Sequence, residues 1–292
     1  MNILVTGGSG FIGKNIVEQM GQNYNIMAPS HRELDLLDEK SVANFFKNHP
    51  FDVVVHSAVK PGHRNAPDLD SLFYSNTRMF FNLIRNSDSF KKIIFLSSGA
   101  VYDIRNSLGK VPEEFFDQYV PEDEHGFSKY VCSKYIELAD NAIELRLFGV
   151  FGKYEDYSIR FISNAICKTL FDMPITIRQN RNFDYLFIDD LIPVLEHFIH
   201  ADPHHKSYNF TPDKSIELLT VAEIVKHFSG KNLPIIVHNS GLGLEYSGSN
   251  NRLYEEISGL KLTPFATAIE SLFKWYHERR DLIDQRCLQF DK

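Results

Sequence analysis

Eight residues near the start, Thr6-Gly7-Gly8-Ser9-Gly10-Phe11-Ile12-Gly13, constrain this chain more than any other segment. They join an apolar run, Asn2 to Val5, to a stretch with Phe11, Ile12, Ile16, Val17 and Met20 at helical spacing that stops near Gly21. The period switches from that of a buried strand to that of an amphipathic helix across one Gly-rich turn. Gly7 permits the tight reversal, Gly10 lets backbone approach a pyrophosphate, and Gly13 lets helix and strand pack closely. The helix start presents free N–H groups and a partial positive charge to phosphates. The spacing predicts a dinucleotide-binding βαβ unit at the head of an α/β fold.

Short apolar runs continue to alternate with helical segments as far as Leu147, the pattern of a parallel sheet with crossover helices. Strands are expected near 24–28, 51–56, 92–96 and 143–147, and helices near 41–46, 72–84 and 126–138. The polar stretch 103–124 reads as a loop with turns. Beyond Phe148 the segments shorten and mix, as in a smaller mixed α/β domain, with 187–199 returning to the first. The expected division is a dinucleotide-binding domain of 1–147 plus about 184–200, and a substrate-binding domain of 148–183 and 201–292.

Composition removes several classes. Lys plus Arg is 31 against 38 Asp plus Glu, a net charge of −7, so no basic excess exists to neutralise nucleic acid or an anionic membrane. Three scattered cysteines make no disulfide framework. No apolar run approaches the ~18 residues of a membrane span, and the start lacks the charged and apolar regions of a secretory signal. The expectation is a cytoplasmic protein.

A strand-end carboxylate usually accepts from the ribose 2′-OH of NAD. Here the second strand runs into Ala28-Pro29-Ser30-His31-Arg32, where Ser30, His31 and Arg32 are donors suited to a 2′-phosphate. NADP is therefore favoured, with NAD the alternative.

Further motifs carry a resemblance. They are His56-Ser57-Ala58, Asn76 on a helix, Ser97-Ser98-Gly99-Ala100-Val101-Tyr102, His125-Gly126-Phe127-Ser128-Lys129, Leu145-Arg146-Leu147-Phe148, Phe183-Asp184-Tyr185 running to Asp189-Asp190, and Tyr208-Asn209-Phe210. In this order the chain resembles the extended short-chain dehydrogenases/reductases, a family of nucleotide-sugar epimerases, dehydratases and ketoreductases. The stretch His31 to Asp38 is similar to that of the NADPH-using ketoreductases. The resemblance implies a Rossmann-type doubly wound parallel sheet and a homodimer through two helices bearing Phe73, Phe80, Phe81 and Tyr130. It implies that Asp35 and Leu36 flank the adenine, and that Ser57, Ala58, Val59 and Asn76 also belong to the cofactor site.

By the same resemblance Ser98 holds the sugar oxygen, position 125 is the acid/base, and Lys129 is the cation that tunes it and holds the nicotinamide ribose. Substrate contacts are expected from Gly99, Phe148, Gly149, Arg160, Tyr185 and Arg252. The family's dehydratases carry carboxylates where Gly99 and Ala100 stand, so dehydration is not expected. Its fucose-type epimerising reductases carry a Cys and a His that match Ala100 and Arg160, neither able to shuttle a proton at carbon. Gly149 replaces a frequent Asn that contacts the substrate diphosphate. What remains is reduction of a 4-keto sugar on a nucleoside diphosphate, with carbon-4 epimerisation on tightly bound NAD, or a non-catalytic dinucleotide binder, as alternatives.

The departure of most consequence is His125, where the family has Tyr. Tyr130 with Lys134 also fits Y-x-x-x-K, but a shift of five residues turns the side chain ~140° away on a helix. His125 is thus expected to face the sugar oxygen as a neutral base, with Lys129 opposing its protonation, and to give a pH profile nearer neutrality than a phenol would. The histidines 197, 200, 204 and 205 straddle a helix end and are not expected to bind metal. Trp275 is expected on the packed face of the last helix.

Overall fold

The structure, a computed structural model, describes residues 1–62 and 70–289. In chain order its first part comprises β1 (Asn2–Thr6), α1 (Phe11–Met20), β2 (Asn25–Met27), α2 (Glu39–Asn48), β3 (Val53–His56), α3 (Leu72–Ile84), β4 (Lys92–Ser98), β5 (Leu108–Val111), α4 (Glu124–Ile136) and β6 (Ala142–Leu147). The second part adds β7 (Gly149–Phe151), α5 (Phe161–Leu170), β8 (Ile175–Asn180), β9 (Asn182–Phe183), β10 (Tyr185–Phe187), α6 (Leu191–His200) and β11 (Ser207–Phe210). It ends with β12 (Ile216–Glu217), α7 (Leu218–Ser229), β13 (Ile235–Leu242), β14 (Tyr246–Gly248), α8 (Asn251–Glu256) and α9 (Phe265–His277).

Six strands form one parallel sheet in the order β2-β1-β3-β4-β6-β11. Strands covered on both faces are mostly apolar: β3 and β6 are buried at every residue, and their polar members, His56, Glu144 and Arg146, are buried as well. Successive side chains serve opposite layers: Ile3 and Val5 join the cluster under α1, α5 and α6, while Leu4 joins that under α2, α3 and α4. Each fully buried Leu, Ile or Phe contributes about 1.5–3 kcal/mol. Strand order reverses between β1 and β3, which opens a crevice beyond their carboxyl ends.

Two segments depart from the expected layout. β11 lies within 201–292, yet pairs with β6 as the last strand of the main sheet, so the first domain claims more of the C-terminal half. The polar stretch 103–124 contains β5, which joins the four-stranded sheet β12-β9-β14-β5. Its partner β14 lies far along the chain, and such non-local pairing leaves no mark in local periodicity. Asp123 caps α4 by accepting from the Gly126 N–H at 2.8 Å, which fixes where this helix starts and hence where positions 125 and 129 point. Beneath them runs a buried polar chain: Arg146 bonds Glu144 and donates to the Tyr102 hydroxyl at 2.8 Å, and Tyr102 donates to Asn209 at 2.7 Å. It ties the ends of β4, β6 and β11 together. Among the described residues no helix is long and apolar enough to cross a membrane.

Candidate functional site

The Gly-rich turn forms one wall of a cleft of about 600 Å³ at the reversal point of the sheet. Gly7 has φ +74°, and a Cβ there would lie 2.7 Å from the Ala58 Cα. A Cβ on Gly13 would lie 2.2 Å from the Gly7 carbonyl oxygen. Only glycine keeps this cradle open, so these residues fit a dinucleotide pyrophosphate. Gly10, Phe11, Ile12, His31, Asp35, Leu36, Ser57, Ala58 and Val59 also line the cleft. The Ser57 hydroxyl donates to the Thr6 carbonyl at 2.9 Å, and the Thr6 hydroxyl bonds buried His56 at 2.7 Å, which pins β3 to β1.

Three expected cofactor residues stand elsewhere. Ser30 turns both its N–H and its hydroxyl to the Glu33 carboxylate, each at 2.8 Å, so neither donor is open to a phosphate. Glu33 lies three residues past Ser30 and is brought back by a turn, which an inspection of the strand end alone misses. Arg32 is exposed and outside the cleft lining. Asn76 accepts from the Lys60 N–H at 2.7 Å and so holds the loop behind Val59 without facing the cleft.

Past Phe11, Ile12, Ser57, Val59 and Arg160, which line both spaces, the cleft passes into a pocket of about 400 Å³. Ser98, His125, Lys129, Phe148, Gly149 and Arg160 line it together. Lys129 is buried, donates from Nζ to the Leu96 carbonyl at 3.0 Å and lies 4.3 Å from the centre of the Phe95 ring. Burial pulls its pKa down to about 8. His125 Nδ1 is shielded from solvent and has no hydrogen-bond partner among the described residues. Burial first, then the charge of Lys129, pulls His125 down to about 4. The imidazole is thus neutral, as expected, but burial and not Lys129 is the leading cause, and its pKa falls well below neutrality instead of near it.

Other expectations are corrected. Gly99 does not face the pocket: a Cβ there would lie 2.6 Å from the Tyr246 hydroxyl oxygen and 2.7 Å from the Phe148 ring. Tyr185 packs against Phe183 on one side and, with Phe151 and Phe265, lines a separate cavity of about 330 Å³. Arg252 donates to the Ser207 carbonyl at 3.1 Å and pairs with Glu114, away from the pocket. Gly149 is required where it stands, because a Cβ would meet the Phe183 ring at 2.3 Å; an Asn cannot fit.

The pocket residues that escaped the sequence reading include Arg181, Tyr246 and the carboxylate Glu245. Arg181 lies 4.7 Å over the Phe183 ring and joins Arg160 on the wall; neither forms an ion pair among the described residues. A basic residue just before the Phe183-Asp184 motif was a usable signal. Tyr246 reaches the pocket from β14, and nothing in its sequence neighbourhood marks it. Tyr130 and Lys134 both bond Asp117 at the surface. His197 and His204 converge on Glu256, the latter at 2.8 Å, and His200 bonds Tyr24 at 2.9 Å. Trp275 packs edge-on to Tyr154 on the last helix.

Known proteins resemble this chain in sequence and in fold. Residues 3–210 match the model of the NAD dependent epimerase/dehydratase family. The GDP-L-colitose synthase of Yersinia pseudotuberculosis is 27% identical over 184 residues, covering 58% of this chain and 60% of that one. The dTDP-4-dehydro-6-deoxyglucose reductase of Escherichia coli is 26% identical over 263 residues, covering 77% and 80%. Among solved structures, the GDP-mannoheptose C4 reductase of Campylobacter jejuni, with NADP bound, superposes with a TM-score of 0.80 at 22% identity, covering 94% of this chain and 98% of that one. The cradle, the pocket beyond it and a family match over residues 3–210 agree: the chain belongs to the NAD-dependent epimerase/dehydratase family.

Proposed function

We propose that this protein reduces a 4-keto sugar carried on a nucleoside diphosphate, with NADPH as the hydride source. The observation that carries this reading is the joint placement of Ser98, His125 and Lys129 in one pocket that opens onto the glycine cradle. A nicotinamide bound in the cleft supplies the hydride. Ser98 donates a hydrogen bond to the carbonyl oxygen, and Lys129 holds positive charge beside the developing alkoxide. His125 returns a proton to that oxygen in the reductive direction and removes one in the oxidative direction. Arg160 and Arg181 supply two guanidinium forks for the diphosphate. With Ser30 engaged by Glu33 and Arg32 outside the cleft lining, the preference for NADP rests on His31, which lines the cleft.

The reading includes a cytoplasmic homodimer joined through α3 and α4, because Tyr74, Tyr135 and Leu138 around these helices are 60%, 36% and 87% exposed. Light scattering at about twice 33.7 kDa supports this arrangement, and a monomer sinks it. The activity is tested by NADPH oxidation with dTDP-4-dehydro-6-deoxyglucose and its GDP-linked counterpart, together with mass spectrometry of small molecules that co-purify. Consumption of NADPH with either sugar supports the reading. Tightly held NAD with no NADPH consumption favours the carbon-4 epimerase, and cofactor binding without turnover favours a non-catalytic binder.

A further inference from the structure

We propose that Ser133 and Glu144 are positioning residues: with Arg146 and Tyr102 they form one buried chain that fixes α4, the helix of His125 and Lys129, against the turn next to Ser98. The proposal rests on the reductase reading above. His125, Lys129 and Ser133 follow one another at steps of four on α4 and so share one face. The first two line the pocket. The third reaches the sheet, donating its hydroxyl to Glu144 Oε2 at 2.5 Å. Arg146 bonds the other carboxylate oxygen, Oε1, and donates from Nη1 to the Tyr102 hydroxyl at 2.8 Å. Ser133, Glu144, Arg146 and Tyr102 are all buried. Tyr102 ends the short helical turn Gly99–Tyr102, which opens at Ser98, whose Oγ accepts from the Ala100 N–H at 3.2 Å. Near its start α4 also touches this turn directly: a Cβ on Gly126 would lie 2.9 Å from the Ala100 carbonyl oxygen. Helix and turn are thus held at two points, one by close packing and one by the polar chain.

A buried ion pair is a poor source of stability, because desolvating both charges offsets their attraction. What it supplies here is direction. The two oxygens of Glu144 are divided between Arg146 and Ser133, and the Tyr102 hydroxyl accepts from Arg146 while giving its own proton to Asn209 at 2.7 Å. A shift of α4 along the sheet leaves a buried carboxylate or hydroxyl without a partner, which is costly. Glu144 has a second effect on the same helix. Burial pulls the Lys129 ammonium down, and the negative charge of Glu144 works against that pull. One carboxylate on β6 therefore sets where α4 stands and supports the cation that α4 brings to the pocket.

The test is a double-mutant cycle with Ser133→Ala and Tyr102→Phe, read with dTDP-4-dehydro-6-deoxyglucose or its GDP-linked counterpart. Both substitutions cut the chain at an end and keep the Glu144–Arg146 pair, so both variants are expected to fold. Each lowers kcat about 10-fold and leaves KM within about 2-fold, because the groups that bind the sugar nucleotide stay in place. The double variant falls within about 2-fold of either single one, since both cut the same chain. An unchanged kcat in Ser133→Ala, or losses that multiply to about 100-fold, overturns the proposal. A second readout needs no turnover: with lysine labelled at Cε, the Lys129 resonance is assigned by its loss in Lys129→Met. It shifts in both single variants while that of Lys168, buried in α5, stays in place. A Lys129 signal unmoved in either variant, or a Lys168 signal that moves as far, sinks the proposal. Wild-type protein that turns over no nucleotide sugar defeats the reductase reading alone, since the labelled signal still decides the positioning.

Discussion

His125 will titrate far below an ordinary histidine. Its pKa falls from 6.5 to about 4, chiefly because the ring is buried and secondly because Lys129 opposes a second positive charge. At ~1.36 kcal/mol per pH unit this disfavours the buried imidazolium by about 3 kcal/mol. The consequence for stability has a definite sign. Above pH 6.5 the folded and unfolded states both carry a neutral His125 and nothing is gained or lost. As pH falls from 6.5 towards 4 the unfolded chain takes up a proton that the fold refuses, so stability declines, by the full amount near pH 4. His56, buried and held at about 3, adds to the same slope. At pH 7 roughly one His125 in a thousand is charged, so reduction accelerates with acid over this window while the oxidative direction stays level. The assay is an NMR titration of the histidine ring signals, with His125 assigned by its loss in His125→Ala. Lys129→Met is expected to raise the midpoint but to leave it below 6.5, because burial is the larger cause. A midpoint at or above 6.5 in the native protein, or full restoration to 6.5 by Lys129→Met, refutes the reasoning.

Gly13→Ala drives a methyl to within 2.2 Å of the Gly7 carbonyl, so NADPH binding, followed by its fluorescence, is expected to fall at least 10-fold and thermal stability to drop with it. Arg160→Gln and Arg181→Gln are each expected to raise KM for the nucleotide sugar about 10-fold with kcat nearly unchanged, as for groups that bind substrate and transition state alike. Alkylation of the native protein at pH 8, mapped by mass spectrometry, is expected at Cys287 alone: Cys132 and Cys167 are buried, and burial pushes the Cys132 thiol up to about 12.

The N-terminal unit was legible because its signals are local. The strand, the three glycines and the helix that follows lie within twenty residues, and the structure places α1 at Phe11–Met20 as the spacing predicts. His125 and Lys129 came from the family resemblance, and their spacing of four residues sets both on one face of α4, where they line one pocket. Residues brought in by distant pairing were not legible. Tyr246 reaches the pocket only because β14 pairs with both β5 and β9. Arg252 is expected from the sequence to contact substrate because its partner Glu114 lies far off in the chain. Ser30 failed for a subtler reason, since donors suited to a phosphate suit a nearby Glu33 as well.

The central claim is hydride delivery to a sugar carbonyl within the pocket shared by Ser98, His125 and Lys129. NADPH deuterated at the transferring position of the nicotinamide, incubated with the protein and a 4-keto sugar nucleotide, tests it directly. NMR of the product is expected to find one deuterium at the former carbonyl carbon, with matching loss of NADPH absorbance. Deuterium that stays on the nicotinamide while the sugar is recovered unchanged, or sugar interconverted on a retained NAD with no label taken up, contradicts the claim.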